Sequence, residues 1–406
     1  MNVLSMAWRN VWRNSRRSIV TIAAMTFGLW VMVLYSGLLE GMMGGMERDL
    51  LDVEVGDIQV RAEGYSDEPS IYMQIEDPWG VVDQLKAQGL KATARLQAGG
   101  LAASGEQSSG VMLMGLHPTR DGEALKLDER VARGEWLSAD RPDGVVLGWR
   151  LAKTLGVDVG GEVLVLTQGA DGSMANELYE VRGVLASISG GTDRSSVLMV
   201  DESFRRLLVV PEGAHQIIVR VPETILLADA KAIVERALPG AEIHTWRELM
   251  PTIAQMMDAT AGMMVFVYGI VYIAIGILIL NAMLMVVFER IREFGVMKAI
   301  GVSPGMVLRL IVAETGVLLG IAATLGLALA LPCAWYLATH GLDLSAFMSN
   351  TDMMGLQLPN VWVGVYGPEQ FLGPLVAMSV IVMMAIVYPA VKAARISPVE
   401  AMRYQG

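Results

Sequence analysis

The sequence predicts a membrane protein of α+β class, with four transmembrane helices and a large exterior α+β domain between the first and the second. Three observations predict it. Of the 406 residues, 53% are hydrophobic and 18% charged, and the mean hydropathy is +0.46, too apolar for one ordinary soluble domain or for a disordered chain. Four stretches, residues 18–39, 262–288, 306–338 and 371–388, are long and apolar enough to cross about 30 Å of hydrocarbon as helices. Between the first two, residues 40–261 carry mixed charge, turns and no comparable apolar run, as a folded, water-exposed domain does.

The same composition excludes several function classes. With 31 basic residues against 42 acidic ones and a net charge of -11, the chain lacks the basic footprint of a nucleic-acid binder. Cys333 is the only cysteine, so neither an internal disulfide nor a thiolate metal cluster can form. His117, His215, His244 and His340 are scattered without metal-ligand spacing, and no metal site is expected.

Residues 1–17 read as an amphipathic helix. At about 100° per residue, Leu4, Ala7, Trp8, Val11 and Trp12 share one face and Arg9, Arg13, Arg16 and Arg17 the other, the pattern of a helix lying on the inner leaflet. A cleaved signal peptide is the competing reading, but the apolar run after Arg17 is too long for one.

Within the exterior domain two segments of similar order flank an insertion. The first reads as strand 53–61, helix 78–87, strand 91–101 and strand 110–116; the second as strand 216–221, helix 223–237 and strand 241–244. Together they suggest a split α+β domain of ferredoxin-like type. The insertion, residues 121–210, is mostly β, with strands at 144–147, 162–167, 179–186 and 196–200 and a helix at 149–155, and should form a subdomain of its own. Residues 187–196 are Gly/Ser-rich and read as a hairpin tip or loop, either a plain solvated turn or a partner contact.

The second span runs into a charged segment, residues 289–305. There Ile291, Phe294, Met297 and Ile300 recur at helical spacing as an apolar ridge, while Glu289, Arg290, Arg292, Glu293 and Lys298 stay polar. Gly295 keeps the helix slim and Gly301 ends it; Ser303 and Pro304 then supply an N-cap and first-turn proline for the third span. Such a helix is either a solvated connector or a docking element that transmits motion from a partner. Asn281 and Glu314 lie in otherwise apolar helices, so each should face protein or the interface. Inter-helix hydrogen bonding is the expected role of Asn281, and pairing with Arg309 or another base near the inner surface that of Glu314.

Outside residues 40–261, the basic residues fall before the first span, between the second and third, and after the fourth, including Lys392, Arg395 and Arg403. Residues 339–370 hold no Lys or Arg. Basic residues near spans stay on the cytoplasmic side, which puts both termini inside and residues 40–261 and 339–370 outside. Residues 389–406 form the cytoplasmic tail.

No Walker A pattern, GxSxG, HExxH or carboxylate pair of defensible geometry occurs, so the chain is not expected to be an enzyme. The string FERIREFGVMKAIGVSPGMVLRLIVAET, with Asn281 upstream and Glu314 near its end, resembles the shared signature of permease subunits in the MacB, LolC/LolE and FtsX (type VII) superfamily of ABC transporters. YPAVKAARISPVEAMR resembles the family's closing motif, and VVLGWRLAKTLGVDVGGEVLVL, VRGVLASISGGTDRSSVLMV and HTWRELMPTIAQMM match the style of its exterior domain. The resemblance implies a porter-like periplasmic domain with a Sabre-like insertion. It also implies a dimer with a second permease copy or paralogue, and two copies of a cytoplasmic ATPase that binds ATP and Mg; the chain itself needs no cofactor. Residues 289–301 would be the coupling helix that meets the ATPase. The layout, including GLDLSAF after the third span, looks closest to LolC/LolE, which release lipoproteins with a periplasmic carrier; MacB-like efflux and FtsX-like signalling are the alternatives. A lipid-modified cargo would need an apolar cleft opening to the outer leaflet, between the outer halves of the first and second spans across a dimer, with candidates Met32, Tyr35, Leu38, Met42, Met43, Met256, Met263, Met264 and Phe266. Methionine density there fits an adaptable surface for acyl chains, and fits helix packing or lipid contact as well.

Overall fold

The computed structural model describes residues 3–13, 15–188, 190–210, 212–222, 224–343, 352–353, 356–357 and 361–397, and the chain divides into a helical unit and an α+β unit. The expected tail residue Arg403 and most of GLDLSAF lie outside the described residues.

The chain begins with α1 (Val3–Arg13) and α2 (Ser15–Leu50). On α1 the expected face divides: Ala7 and Val11 are buried in the helical unit, whereas Trp8 and Trp12 stay exposed, their rings 6.0 Å apart edge to face. The Ser18 hydroxyl donates to the Val11 carbonyl at 2.7 Å and fixes the α1–α2 corner. Helix α2 runs well past the expected end at residue 39 and passes into a π turn, Leu51–Val55. The strand read from residue 53 therefore starts later, as β1 (Ile58–Arg61). Gly56 makes this change of course, at φ +69 and with a missing Cβ that would lie 2.4 Å from Ile218.

The α+β unit continues through α3 (Pro78–Ala87), capped by Asp77 on the Gly80 N–H at 3.0 Å, then β2 (Lys91–Ser104), β3 (Gln107–Leu116) and α4 (Pro118–Ala124). Next come β4 (Val131–Gly134), β5 (Gly144–Leu147), α5 (Trp149–Leu155), β6 (Glu162–Gln168), β7 (Met174–Leu185), α6 (Gly190–Ser195), β8 (Ser196–Val200) and α7 (Asp201–Leu208). It closes with β9 (Gln216–Arg220), α8 (Leu227–Ala237), β10 (Glu242–Thr245) and α9 (Trp246–Leu249).

Strands β10-β1-β9-β2 are antiparallel in that order, a split βαββαβ sheet whose core joins Val60, Ile217 and Val219 to Leu85 of α3 and Val234 of α8. The insertion builds a barrel with its own core, but together with β2 and β3 and not from its own strands alone. Strand β2 continues into it, and β2-β3-β8-β5-β7-β6 pair in a ring that returns to β2 through Leu101↔Leu166. Alternate residues point into this barrel, where Leu113, Val145, Val165, Tyr179, Val197 and Met199 are buried together. The 187–196 segment is not a hairpin tip either, because β5 lies between β7 and β8. Its Asp193 is fully buried and accepts from Trp149 Nε1 at 2.8 Å, Ser187 Oγ at 2.6 Å and the Ile188 N–H at 2.9 Å, which folds the segment into α6.

The two chain connections to the helical unit leave from neighbouring strands. Ile58, the first residue of β1, pairs with Thr245, the last of β10, and the Trp246 N–H donates to the Asp57 carbonyl at 3.1 Å. Arg220 of β9 locks the π turn by donating to the carboxylates of Asp52 and Asp57.

The helical unit is completed by α10 (Pro251–Glu289), α11 (Ile291–Ala299), α12 (Pro304–His340) and α13 (Pro368–Arg395). With α2, three of these are long and apolar enough to cross a membrane. Met25, Leu29, Met32 and Val33 of α2 pack in one core with Ile279 and Met283 of α10, Ala322 of α12 and Met378 and Val382 of α13.

Candidate functional site

Helix α10 ends at Arg290, whose backbone leaves the helical region and starts α11. Of the polar flank read from the sequence, Arg290 is drawn into the interior, while Glu289, Arg292 and Glu293 stay exposed. The Arg290 side chain is buried, and its Nη1 donates to both carboxylate oxygens of Glu314 on α12 at 2.6 Å. Its Nε donates to Glu293 at 3.1 Å, and Arg13 of α1 donates to the same Glu293 oxygen at 2.9 Å. Burial alone would lower the Arg290 pKa, but the hydrogen bonds and charge of Glu314, seconded by Glu293, leave it above the ordinary value. Arg290, and not Arg309, is thus the partner Glu314 required.

Apolar packing seats the same helix. Ile291, Phe294 and Gly295 are buried, Phe294 in a core with Val307 and Ile311 of α12 and Ile386, Ala390 and Ala393 of α13, and Met297 packs partly against it. At the far end Lys298 donates to the carbonyls of Ala394 at 2.7 Å and Ile396 at 2.5 Å, capping the C-terminus of α13. Gly301 then turns the chain at φ +97, and the Ser303 hydroxyl accepts from the Met306 N–H at 3.3 Å to begin α12. The ridge Ile291–Phe294–Met297 therefore faces inward, and Ile300 does not share it. Ile300 and Val296, one turn apart, are 77% and 48% exposed, with Glu289 and Arg292 also exposed. Helix α11 thus presents a small apolar face outward and is tied by charge or packing to α1, α12 and α13.

The candidate cleft residues are not gathered in one place. Met32 is buried in the helical core and cannot line an open cleft. Tyr35 stacks edge to face on Tyr268 of α10 at 5.1 Å; Leu38, Met42, Met43 and Met264 are half-buried, and Met263 and Phe266 are exposed. Met256 belongs to the α+β unit. An open apolar groove of about 750 Å³ lies between α10 and α13 in the helical unit and includes none of them. Asn281 is exposed on α10, and its expected inter-helix hydrogen bond is not made among the described residues. Sequence reasoning missed Arg13, which gave no signal beyond its place on a basic face.

Comparison with known proteins gives two family matches in order along the chain. Residues 18–237 match the MacB-like periplasmic core domain, and residues 265–398 match the FtsX-like permease C-terminal domain. The lipoprotein-releasing system transmembrane protein LolC of Neisseria meningitidis is 21% identical over 96% of this chain and 94% of its own length. An uncharacterized ABC transporter permease of Methanocaldococcus jannaschii is 20% identical over 99% and 98%, respectively. Among solved structures, the periplasmic region of MacB from Actinobacillus actinomycetemcomitans, 14% identical, is covered to 98% and covers 53% of this chain at a TM-score of 0.36. The extracellular domain of the noncanonic ABC-type transporter YknZ, 14% identical, covers 47% of the chain at a TM-score of 0.34. With the first family match alone spanning more than half of the sequence, the chain is a permease of the type VII ABC transporter family, built from a MacB-like core domain and an FtsX-like C-terminal membrane domain.

Proposed function

We propose that this chain is the non-catalytic membrane subunit of a transporter that turns ATP hydrolysis on a separate ATPase into motion of its exterior domain, and so extracts lipoprotein or lipid-linked cargo from the inner membrane. The observation that carries the reading is the ionic chain Arg13–Glu293–Arg290–Glu314, which ties α11 to α1 and α12. The Arg290–Glu314 pair is buried with good geometry and fixes how the end of α10 meets α12 where α11 begins, while the Arg13–Glu293 link to α1 is exposed; a push on α11 is passed to the bundle chiefly through the buried pair. Val296 and Ile300 are the apolar contacts offered to the ATPase, which supplies the ATP and Mg site.

Two copies of the ATPase and a second permease copy complete the assembly. Asn281 favours the second copy, because an exposed amide on a lipid-facing helix is costly and a neighbouring helix satisfies it. Lipoprotein cargo, and a periplasmic carrier to receive it, rest on the likeness to LolC, whose name states lipoprotein release. The test is affinity purification of the tagged chain in mild detergent with mass spectrometry of what accompanies it. An ATPase with triacylated lipoproteins supports the reading; an ATPase with an outer-membrane tunnel moves the cargo to effluxed compounds; recovery of no ATPase removes the transmission reading.

A further inference from the structure

The groove between α10 and α13 ends at a cation that the ionic chain does not use. Gly269 and Gly276, two turns apart on α10, leave the hollow, and Leu280, Ile381, Met384 and Tyr388 continue its wall. Tyr388 is the last of these residues on α13. One turn further along the same helix, Lys392 sets its ammonium 5.8 Å from the Tyr388 ring centroid and 4.7 Å from that of Phe288, which lies two turns past Leu280 on α10. The rings hold the cation at the mouth of the groove, where a free lysine would swing away to water.

Lys392 and Arg395 share the last turn of α13, both are exposed, and no carboxylate pairs with either among the described residues. Neither side chain caps α13 among the described residues, where it is Lys298 that donates to the Ala394 and Ile396 carbonyls. An apolar hollow of about 750 Å³ with Lys392 held at one end, and Arg395 exposed in the same last turn of α13, is complementary to a molecule with a hydrocarbon chain and an anionic head.

We propose that the α10–α13 groove is a binding site for an anionic phospholipid of the leaflet on the α11 side, with one acyl chain along Gly269–Leu280 and the phosphate on Lys392 and Arg395. The site is independent of the transmission reading and would stand if that reading failed. A zwitterionic lipid fits the hollow equally well but brings its own cation to the phosphate, so the headgroup decides the preference.

The experiment is native mass spectrometry of the full chain in detergent with equimolar phosphatidylglycerol and phosphatidylcholine of matched chains. Retained phosphatidylglycerol should exceed phosphatidylcholine by about fivefold or more, the scale of one or two cations near a charged headgroup. Lys392→Gln with Arg395→Gln should bring the two to parity without loss of total lipid. Met384→Trp, at an exposed groove position, should reduce both lipids together. Equal retention by the unaltered chain, or a preference that survives the double substitution, overturns the proposal. So does efficient disulfide capture of a second copy through Ile277→Cys in a Cys333→Ser background, which would make the occupant of the groove protein.

Discussion

Arg290 and Glu314 meet across the junction of two apolar helices, with Nη1 of the guanidinium 2.6 Å from each carboxylate oxygen and the side chains only 6% and 10% exposed. Removing Arg290 leaves Glu314 charged and without a counter-ion in a buried site, which costs about 3–5 kcal/mol, whereas removing Glu314 leaves Arg290 its contact with Glu293 and should cost less. Arg290→Met should lower the unfolding midpoint of the purified chain sharply, and Glu314→Gln should lower it less. The double variant Arg290→Met, Glu314→Leu should recover much of the loss. Additive losses in that cycle would show that the two charges do not act as a pair.

Val296 and Ile300 are the apolar side chains that α11 offers outward, so their replacement separates docking from folding. Val296→Asp with Ile300→Asp should change stability by less than about 0.5 kcal/mol, as exposed substitutions do. Recovery of the ATPase with the chain should nevertheless fall at least about tenfold, the effect of one lost contact of roughly 1.4 kcal/mol. Unchanged recovery would place the ATPase elsewhere.

Gly301 stands in the left-handed region with open space where a Cβ would be, so a side chain there strains only the backbone. For Gly301→Val the strain is roughly 1–2 kcal/mol, and Gly301→Asn should be milder because asparagine tolerates this region. Insertion should be preserved in both, and stimulation of the partner's ATP hydrolysis should fall in the valine variant first. Equal stimulation in all three chains would count against α11 as the point of entry for motion.

His215 is fully buried in the α+β unit, where Nδ1 accepts the Gln97 N–H at 2.8 Å. Burial pushes its pKa below the ordinary 6.5; the contact with the Ile71 carbonyl works the other way, and the charge of Arg205 adds to the lowering. The unfolded chain therefore takes up this proton first. Stability is complete above about pH 6.5 and declines as pH falls through that value. The melting temperature should show this decline, and His215→Gln should lessen it; an identical pH profile in the variant would exclude the imidazole as its source.

Orientation can be read from two exposed positions. In a Cys333→Ser background, Met174→Cys, 82% exposed at the start of β7, should react with an impermeant maleimide added outside spheroplasts. Ile300→Cys, 77% exposed, should react only after permeabilisation. The opposite pattern would invert the topology.

Local signals made much of the fold legible. Asp77 before Pro78, the Gly148 and Gly156 bounds of α5, and Ser303 before Pro304 mark helix ends by chemistry within a few residues, and there reading and structure coincide. The failures are non-local. Val53 has the look of a strand residue but sits in a π turn held by Arg220, more than 160 residues away. The 187–196 segment reads as a polar tip until Trp149 is found donating to Asp193. Met32 could not be placed because α2 is apolar all round, leaving no periodic face to show which side is covered. Within the site, Glu314 announced its need for a cation by its place in an apolar span, but the choice of Arg290 over Arg309 depends on how α10 ends.

The direct pairing of Ile58 with Thr245 sets how the β1–β10 ladder bears load. Because α2 feeds the start of β1 and α10 departs from the end of β10, both tethers attach at the same end of a four-residue antiparallel ladder. Opposed pulls directed along the two strands would be resisted by all the ladder hydrogen bonds at once. Sideways spreading would open the ladder one rung at a time, beginning at Ile58 and Thr245. The ladder is therefore stiff against shear along its strands and yielding against a splay.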